Sequence, residues 1–176
     1  MSTTQASGTG KPSAGAAVRR RMSSAELATW RALVDTTAEL RRILGAELQE
    51  TSLSPADYQV LLALAEAHGK RMRSSELART IDWERSRLSH HLGRMERRRL
   101  IRRDGCATDS RGAEVSATAE GVRVFRRATV PHMRSIKRHF ADALTPEEFA
   151  ALAGIIHSLQ GHLHPDTVSR REGGRK

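Results

Sequence analysis

Thiols are nearly absent from this 176-residue chain: Cys106 is the single cysteine. One thiol excludes an internal disulfide framework and fits a reducing cytoplasm. No apolar run approaches the roughly 18 residues that a membrane-spanning helix needs, so no membrane partner is expected. The N-terminal stretch is rich in Ser, Thr, Gly and Ala and lacks an apolar core, which excludes a signal peptide reading. There is no phosphate-binding loop, no nucleophile elbow and no Cys-x-x-Cys or His-x-x-x-His pair, and no short motif joins the Ser, His and Asp residues. An enzyme is therefore not expected, and no cofactor is called for. No internal repeat is found.

Acidic residues are also scarce. Twenty Asp and Glu face thirty Lys and Arg, for a net charge of +10 and a pI near 11.2. The location of the excess is more informative than its size. Residues 1–22 hold four basic and no acidic residues, and residues 165–176 hold four basic and two acidic. The body, 23–164, is left at +4. Its segment 83–111 alone has nine basic and four acidic residues, net +5, so the rest of the body is slightly acidic. Concentrated positive charge on one element is the footprint of a duplex binder. The N-terminal arm, ending in Arg19-Arg20-Arg21, and the C-terminal tail read as disordered, solvated and basic.

Between the tails the chain is long enough for one domain with a real core. Ser23-Ser24-Ala25-Glu26 is a capping box that opens a long helix. Leu27, Trp30, Leu33, Val34, Thr37, Leu40, Leu44 and Leu48 recur along it at helical steps. Ser54-Pro55-Ala56-Asp57 starts a second helix, which Gly69 ends. Met72 falls in a short extended piece. Ser74 is expected to cap a third helix over 75–81, and Asp82 a fourth over 83–99. Leu100 to Arg103 and Ala113 to Ala117 read as two strands around a turn at 105–112. Thr118 starts a fifth helix, interrupted at Pro131. Thr145-Pro146-Glu147-Glu148 starts a sixth, carrying Phe149, Leu152, Ile155, Ile156, Leu159 and Leu163. The expected fold is mainly α, in the order α-α-α-α-β-β-α-α. A winged helix-turn-helix spans about 54–118. The helices at about 24–50 and 118–164 are more apolar than a monomer needs, so they are expected to form a homodimer.

The fourth helix divides cleanly on a 100° wheel. Leu88, Leu92 and Met95 fall together and must face the core. Ser86, Arg87, Ser89 and His90 lie on or beside the opposite face, in the N-terminal half that reaches base edges in a major groove. Arg94, Arg97 and Arg98 come later and are expected to contact phosphates. Gly93 weakens the helix by roughly 1 kcal/mol against Ala, which suits a close approach by the partner. In the wing, Asp109 and Arg111 stand two apart. A carboxylate that tethers an arginine before binding lowers the entropy lost when that arginine enters a minor groove.

Three of these segments together resemble the MarR (multiple-antibiotic-resistance regulator) family. They are Arg94-Met95-Glu96-Arg97-Arg98-Arg99-Leu100-Ile101, Asp109-Ser110-Arg111 and Thr118-Ala119-Glu120-Gly121. The resemblance covers residues 24–164. It implies a homodimer built on the first, fifth and sixth helices, a palindromic operator, and repression relieved by a small ligand. One departure is Arg99, where the family commonly has Gly. A non-glycine residue resists positive φ, so the helix-to-strand corner is expected to differ slightly.

The resemblance also implies an effector crevice, for which Trp30, Thr37, Tyr58, His68 and Met72 are candidates. Their simpler reading is packing. His132 and His139, seven residues apart on the fifth helix, are weak candidates for a zinc site, and Cys106 for a thiol sensor. The leading expectation is a dimeric, sequence-specific transcription regulator of double-stranded DNA, acting as a repressor. Its rivals are a zinc-responsive regulator of the same fold and a sequence-indifferent architectural DNA-binding protein.

Overall fold

The computed structural model describes residues 21–105 and 113–164. The wing tip lies outside these residues, and with it Cys106, Asp109 and Arg111. So do most of the N-terminal arm and the tail beyond His164.

The chain divides into two units at Thr36. The first contains the opening turns of α1 (Ser24–Gln49), started by the predicted box: the Ser23 hydroxyl accepts from the Glu26 amide, and the Ser23 amide donates to the Glu26 carboxylate. Leu27, Trp30, Leu33 and Val34 are all exposed there, Trp30 by 56%.

The second unit holds the remainder of α1 and every other element. These are α2 (Pro55–Glu66), β1 (Arg71–Arg73), α3 (Ser74–Thr80), α4 (Arg85–Arg97), β2 (Ile101–Asp104), β3 (Glu114–Ala117), α5 (Ala119–His139) and α6 (Pro146–Leu163). The extended piece at Met72 is a third strand. The antiparallel sheet runs in the order β1-β3-β2, pairing Met72 with Val115 and Arg103 with Val115 from the other side. Val115 is fully buried. The core gathers Leu48 and Leu53 with Val60, Leu61 and Leu64 of α2, Leu77 of α3, Leu88, Leu92 and Met95 of α4, and Leu100, Ile101 and Ala128. Within the described residues, no helix is long and apolar enough to cross a membrane.

Helix boundaries correct two expectations. Ser74 does not cap α3; its hydroxyl donates to the Ala113 carbonyl and helps seat β3. Asp82 does not cap α4. It follows the C-terminus of α3 with φ 53°, while the Asp82 and Trp83 amides donate back to the Arg79 and Ala78 carbonyls. That is a Schellman closure, and aspartate tolerates its left-handed position better than most side chains. α4 consequently begins later, at Arg85.

The α4–β2 corner repeats the device with an arginine. Arg99 takes φ 58°, its amide donates to Glu96, and the Leu100 amide donates to Met95. The corner that Arg99 was expected to alter is therefore formed in the left-handed conformation. For a non-glycine residue this costs roughly 1–2 kcal/mol. Buried Met95 and Leu100 supply the hydrophobic contact that accompanies the motif. Thr118 locks the corner to α5, donating its hydroxyl to the Arg99 carbonyl at 2.6 Å and accepting from the Gly121 amide at 3.0 Å. Gly121 is required there: a Cβ would lie 1.9 Å from the Leu100 carbonyl oxygen. The Thr-x-x-Gly signature thus binds the recognition lobe to the helix that leaves it.

Candidate nucleic-acid interface

α4 is held by its apolar face, with Leu88, Leu92 and Met95 each no more than 1% exposed. Ser86, Arg87, Ser89, His90 and Arg97 are exposed, and Gly93 is half-buried beside Arg97. Positions 86, 90, 93 and 97 follow one another at helical steps, so they form a single polar stripe. Arg85 and Arg97 have no carboxylate partner among the described residues. Arg87 is not loose: its guanidinium stacks 4.2 Å above the Trp83 ring, an arrangement that attracts cations to the ring face.

Arg103 sets the start of the wing against this helix. Its backbone amide and guanidinium both donate to Glu96, the latter at 2.5 and 2.9 Å. The Glu96 carboxyl is held below its usual range, first by the Arg103 hydrogen bond. On the same strand Arg102 reaches Asp104 and the Ser116 hydroxyl.

Arg98 departs from its expected place. Its guanidinium turns inward, donating to Asp57 Oδ2 and to the Ser52 carbonyl, both at 2.7 Å. Asp57 is 3% exposed at its side chain and lies at the N-terminus of α2, where it also accepts from the Ser54 amide in a capping box. The sequence shows Asp57 only as the acidic member of a helix start. The structure adds a third partner, His91, which is buried and has Nε2 3.1 Å from Asp57 Oδ1 in a bent contact. Burial alone would raise the Asp57 pKa. The close approach of His91 and the hydrogen bonds with Arg98 and Ser54 outweigh it and hold the carboxyl well below the usual carboxylate range. Arg94 completes the group by donating from Nη2 to His91 Nδ1 at 2.8 Å. His91 was missed by sequence reading. Its one signal was its position, three residues ahead of Arg94 and one short of Leu92.

The candidate crevice residues have separate surroundings in the described structure. Tyr58 is buried, with its ring 5.0 Å from Phe125 and 4.7 Å from His132, and its hydroxyl toward Thr129. Met72 packs on the core from β1, and His68 is exposed in a 3₁₀ turn. Thr37 is half-buried on α1. Trp30 belongs to the other unit. An opening of about 320 Å³ lies elsewhere, lined by Glu47, Glu50, Thr51, Arg127, Pro131 and His132. Burial lowers the pKa of His132, whose Nδ1 has no partner. His139 is engaged with Glu47 at 2.8 Å. Among the described residues, no three His, Cys, Asp or Glu side chains are arranged to hold a metal.

The fold and this helix have close counterparts. AbsC, a MarR family transcriptional regulator from Streptomyces coelicolor, is 35% identical. The alignment covers 84% of this chain and 99% of that one, with a TM-score of 0.75. The chain belongs to the MarR family. Sco3205, a second MarR family regulator from the same organism, was solved in complex with DNA. It is 33% identical over 84% of this chain and 94% of its own, again at TM-score 0.75. The MarR family profile matches residues 51–112, from the approach to α2 to a point short of β3. A mutant MarR from E. coli complexed with operator DNA shares the fold at 18% identity and TM-score 0.67, over 76% of this chain and 94% of its own. No curated protein sequence matches. As a MarR-family winged-helix transcriptional regulator, the chain uses α3 and α4 as its helix-turn-helix and β2–β3 as its wing.

Proposed function

We propose that the chain is a sequence-specific, double-stranded DNA-binding regulator that acts as a homodimeric repressor of a palindromic operator. One observation carries the reading: an outward stripe of Ser86, His90, Gly93 and Arg97 on a helix whose opposite face is buried to the last residue. Ser86, Arg87, Ser89 and His90 are assigned to base edges, and Arg94 and Arg97 to phosphates. Asp109 and Arg111 are assigned to the minor groove. Arg98 is withdrawn from the phosphate group because its guanidinium is engaged by Asp57 and the Ser52 carbonyl. The DNA complex of the 33% identical Sco3205 supports the partner.

Dimerisation is supported by α6, which has no buried residue and exposes Phe149, Ile155, Ile156, Leu159 and Leu163. Apolar residues spaced along one helix need a covering surface, and two-fold pairing of such faces gives half-sites related by symmetry. A dimer seated on a promoter excludes other proteins, so repression is the simpler output. A small-molecule effector is assigned to the opening beside His132 rather than to the five crevice candidates.

The decisive experiment is selection of bound duplexes from a random pool, followed by competition at fixed salt. A regulator should prefer the selected duplex over random DNA by roughly 10³-fold or more. Arg111→Ala should weaken that binding by about 1–3 kcal/mol with the fold intact. Equal displacement by random DNA would replace this reading with the architectural one.

A further inference from the structure

We infer that buried His91 is a positioning residue for DNA contact, ordering Arg94 on the recognition helix under the control of Asp57; this rests on the DNA reading proposed above. His91 is only 5% exposed, yet its Nδ1 points at the guanidinium of exposed Arg94, 2.8 Å away. A guanidinium can only donate. Nδ1 is therefore the unprotonated nitrogen, and the ring proton sits on Nε2, which faces Asp57 Oδ1 at 3.1 Å. The contact to Asp57 is too bent for a hydrogen bond, so it is the donation from Arg94 that identifies the tautomer, and the Asp57 carboxylate favours it only as an anion beside the Nε2 proton.

Asp57 is itself immobilised. It accepts from the Ser54 amide and from Arg98, which is anchored in turn to the Ser52 carbonyl. The Trp83 ring meets the other side of the imidazole edge-on, with centroids 5.3 Å apart. Helical geometry makes the relay possible, since positions 91, 94 and 98 lie on one face turned toward the N-terminus of α2. A histidine that merely filled space would not need a lone pair aimed at an exposed cation. An arginine ordered before binding loses less rotamer freedom when it meets a phosphate, which amounts to about 2- to 10-fold in affinity.

The test is a double-mutant cycle, read by fluorescence anisotropy at one salt concentration. The probe is a labelled duplex that the parent protein selects from a random pool. His91→Phe keeps a ring beside Trp83 and removes both nitrogens; His91→Asn keeps an acceptor near the Nδ1 position. Phe should weaken binding about 2- to 10-fold and Asn should restore part of the loss. The Phe effect should vanish in an Arg94→Ala background. Equal losses with and without Arg94 would show that His91 acts through the fold alone, and would overturn the inference. Should His91→Phe fail to fold by circular dichroism, the cycle is run with His91→Leu, which also removes both nitrogens. There, coupling to Arg94 supports the relay and additivity overturns it. Parent-like binding by Arg94→Ala, with weakened binding by Arg97→Ala, removes the relay and leaves the DNA reading standing. Parent-like binding by Arg94→Ala, Arg97→Ala and Ser86→Ala together removes the DNA reading itself.

Discussion

Replacing Gly93 by alanine should raise stability and lower DNA affinity at once. Gly93 lies within α4 at helical φ, and a Cβ built there meets only the tip of Arg97, at 3.9 Å. Nothing in the protein resists the added methyl. The helix should therefore gain the ordinary advantage of alanine over glycine, about 0.8–1.0 kcal/mol. For a domain of this size that is a rise of roughly 2–4 °C in melting temperature. The same methyl points outward on the stripe between His90 and Arg97. Where a partner surface comes into van der Waals contact with the helix, the added group forces a displacement. On the scale of overpacking in close-packed interiors this costs about 1–3 kcal/mol, or roughly 5- to 150-fold in affinity. Thermal unfolding by circular dichroism and anisotropy with the selected duplex measure the two effects separately. Because they have opposite signs, lost binding could not be blamed on a damaged fold. A higher melting temperature with unchanged affinity would refute close approach at Gly93. A lower melting temperature would refute the open-site geometry.

The corner residues give the remaining predictions. Arg99→Gly should stabilise by about 0.5–1 kcal/mol, since relief of the left-handed conformation exceeds the chain entropy that glycine adds; the urea midpoint should rise without a change in slope. Gly121→Ala should unfold or severely destabilise the lobe, because the 1.9 Å approach to a backbone carbonyl leaves nowhere for a methyl; a parent-like melting curve would contradict the packing of α5 on the α4–β2 corner. The Asp57 carboxyl is depressed on folding. Its contribution should therefore be complete above the unfolded carboxylate value of about 4 and drain away as the pH falls below it. Asp57→Asn should flatten that acid limb and cost about 2–4 kcal/mol at neutral pH, since it removes one partner of a buried group.

Periodicity made most of the fold legible. Leu88, Leu92 and Met95 could be placed in the core because a helix repeats every 3.6 residues, and the boxes at Ser23 and Thr145 and the helix start at Ser54 could be read because capping is local chemistry. What escaped was set by tertiary partners. Ser74 has the composition of a cap, but its hydroxyl is claimed by Ala113, thirty-nine residues away. Asp82 also suits a cap, but the Schellman closure of α3 takes it first. The crevice candidates were grouped by residue type, and no local rule says that Tyr58 turns into an aromatic cluster with Phe125 and His132.

Arg97, Arg98 and Arg99 show how far identical residues can diverge. To composition they are one basic run, and a charge count treats them alike. A helix turns about 100° per residue, so consecutive side chains cannot share a face. Arg97 continues the exposed stripe. Arg98, one step round, is directed to the N-terminus of α2, where Asp57 waits in an already formed cap. Arg99 comes after the helix has ended, and its backbone, not its charge, closes the corner at φ 58°. Among the described residues, Arg98 alone of the three is paired with a carboxylate, and Asp57 lies outside the segment, so the effective charge of the reading surface is smaller than the +5 of its segment. The loss has a counterpart. The cation engaged at Arg98 holds Asp57, and Asp57 lies 3.1 Å from the imidazole that accepts from Arg94. Specific reading depends on arginines held in place as much as on arginines in number, and this helix uses one to hold another.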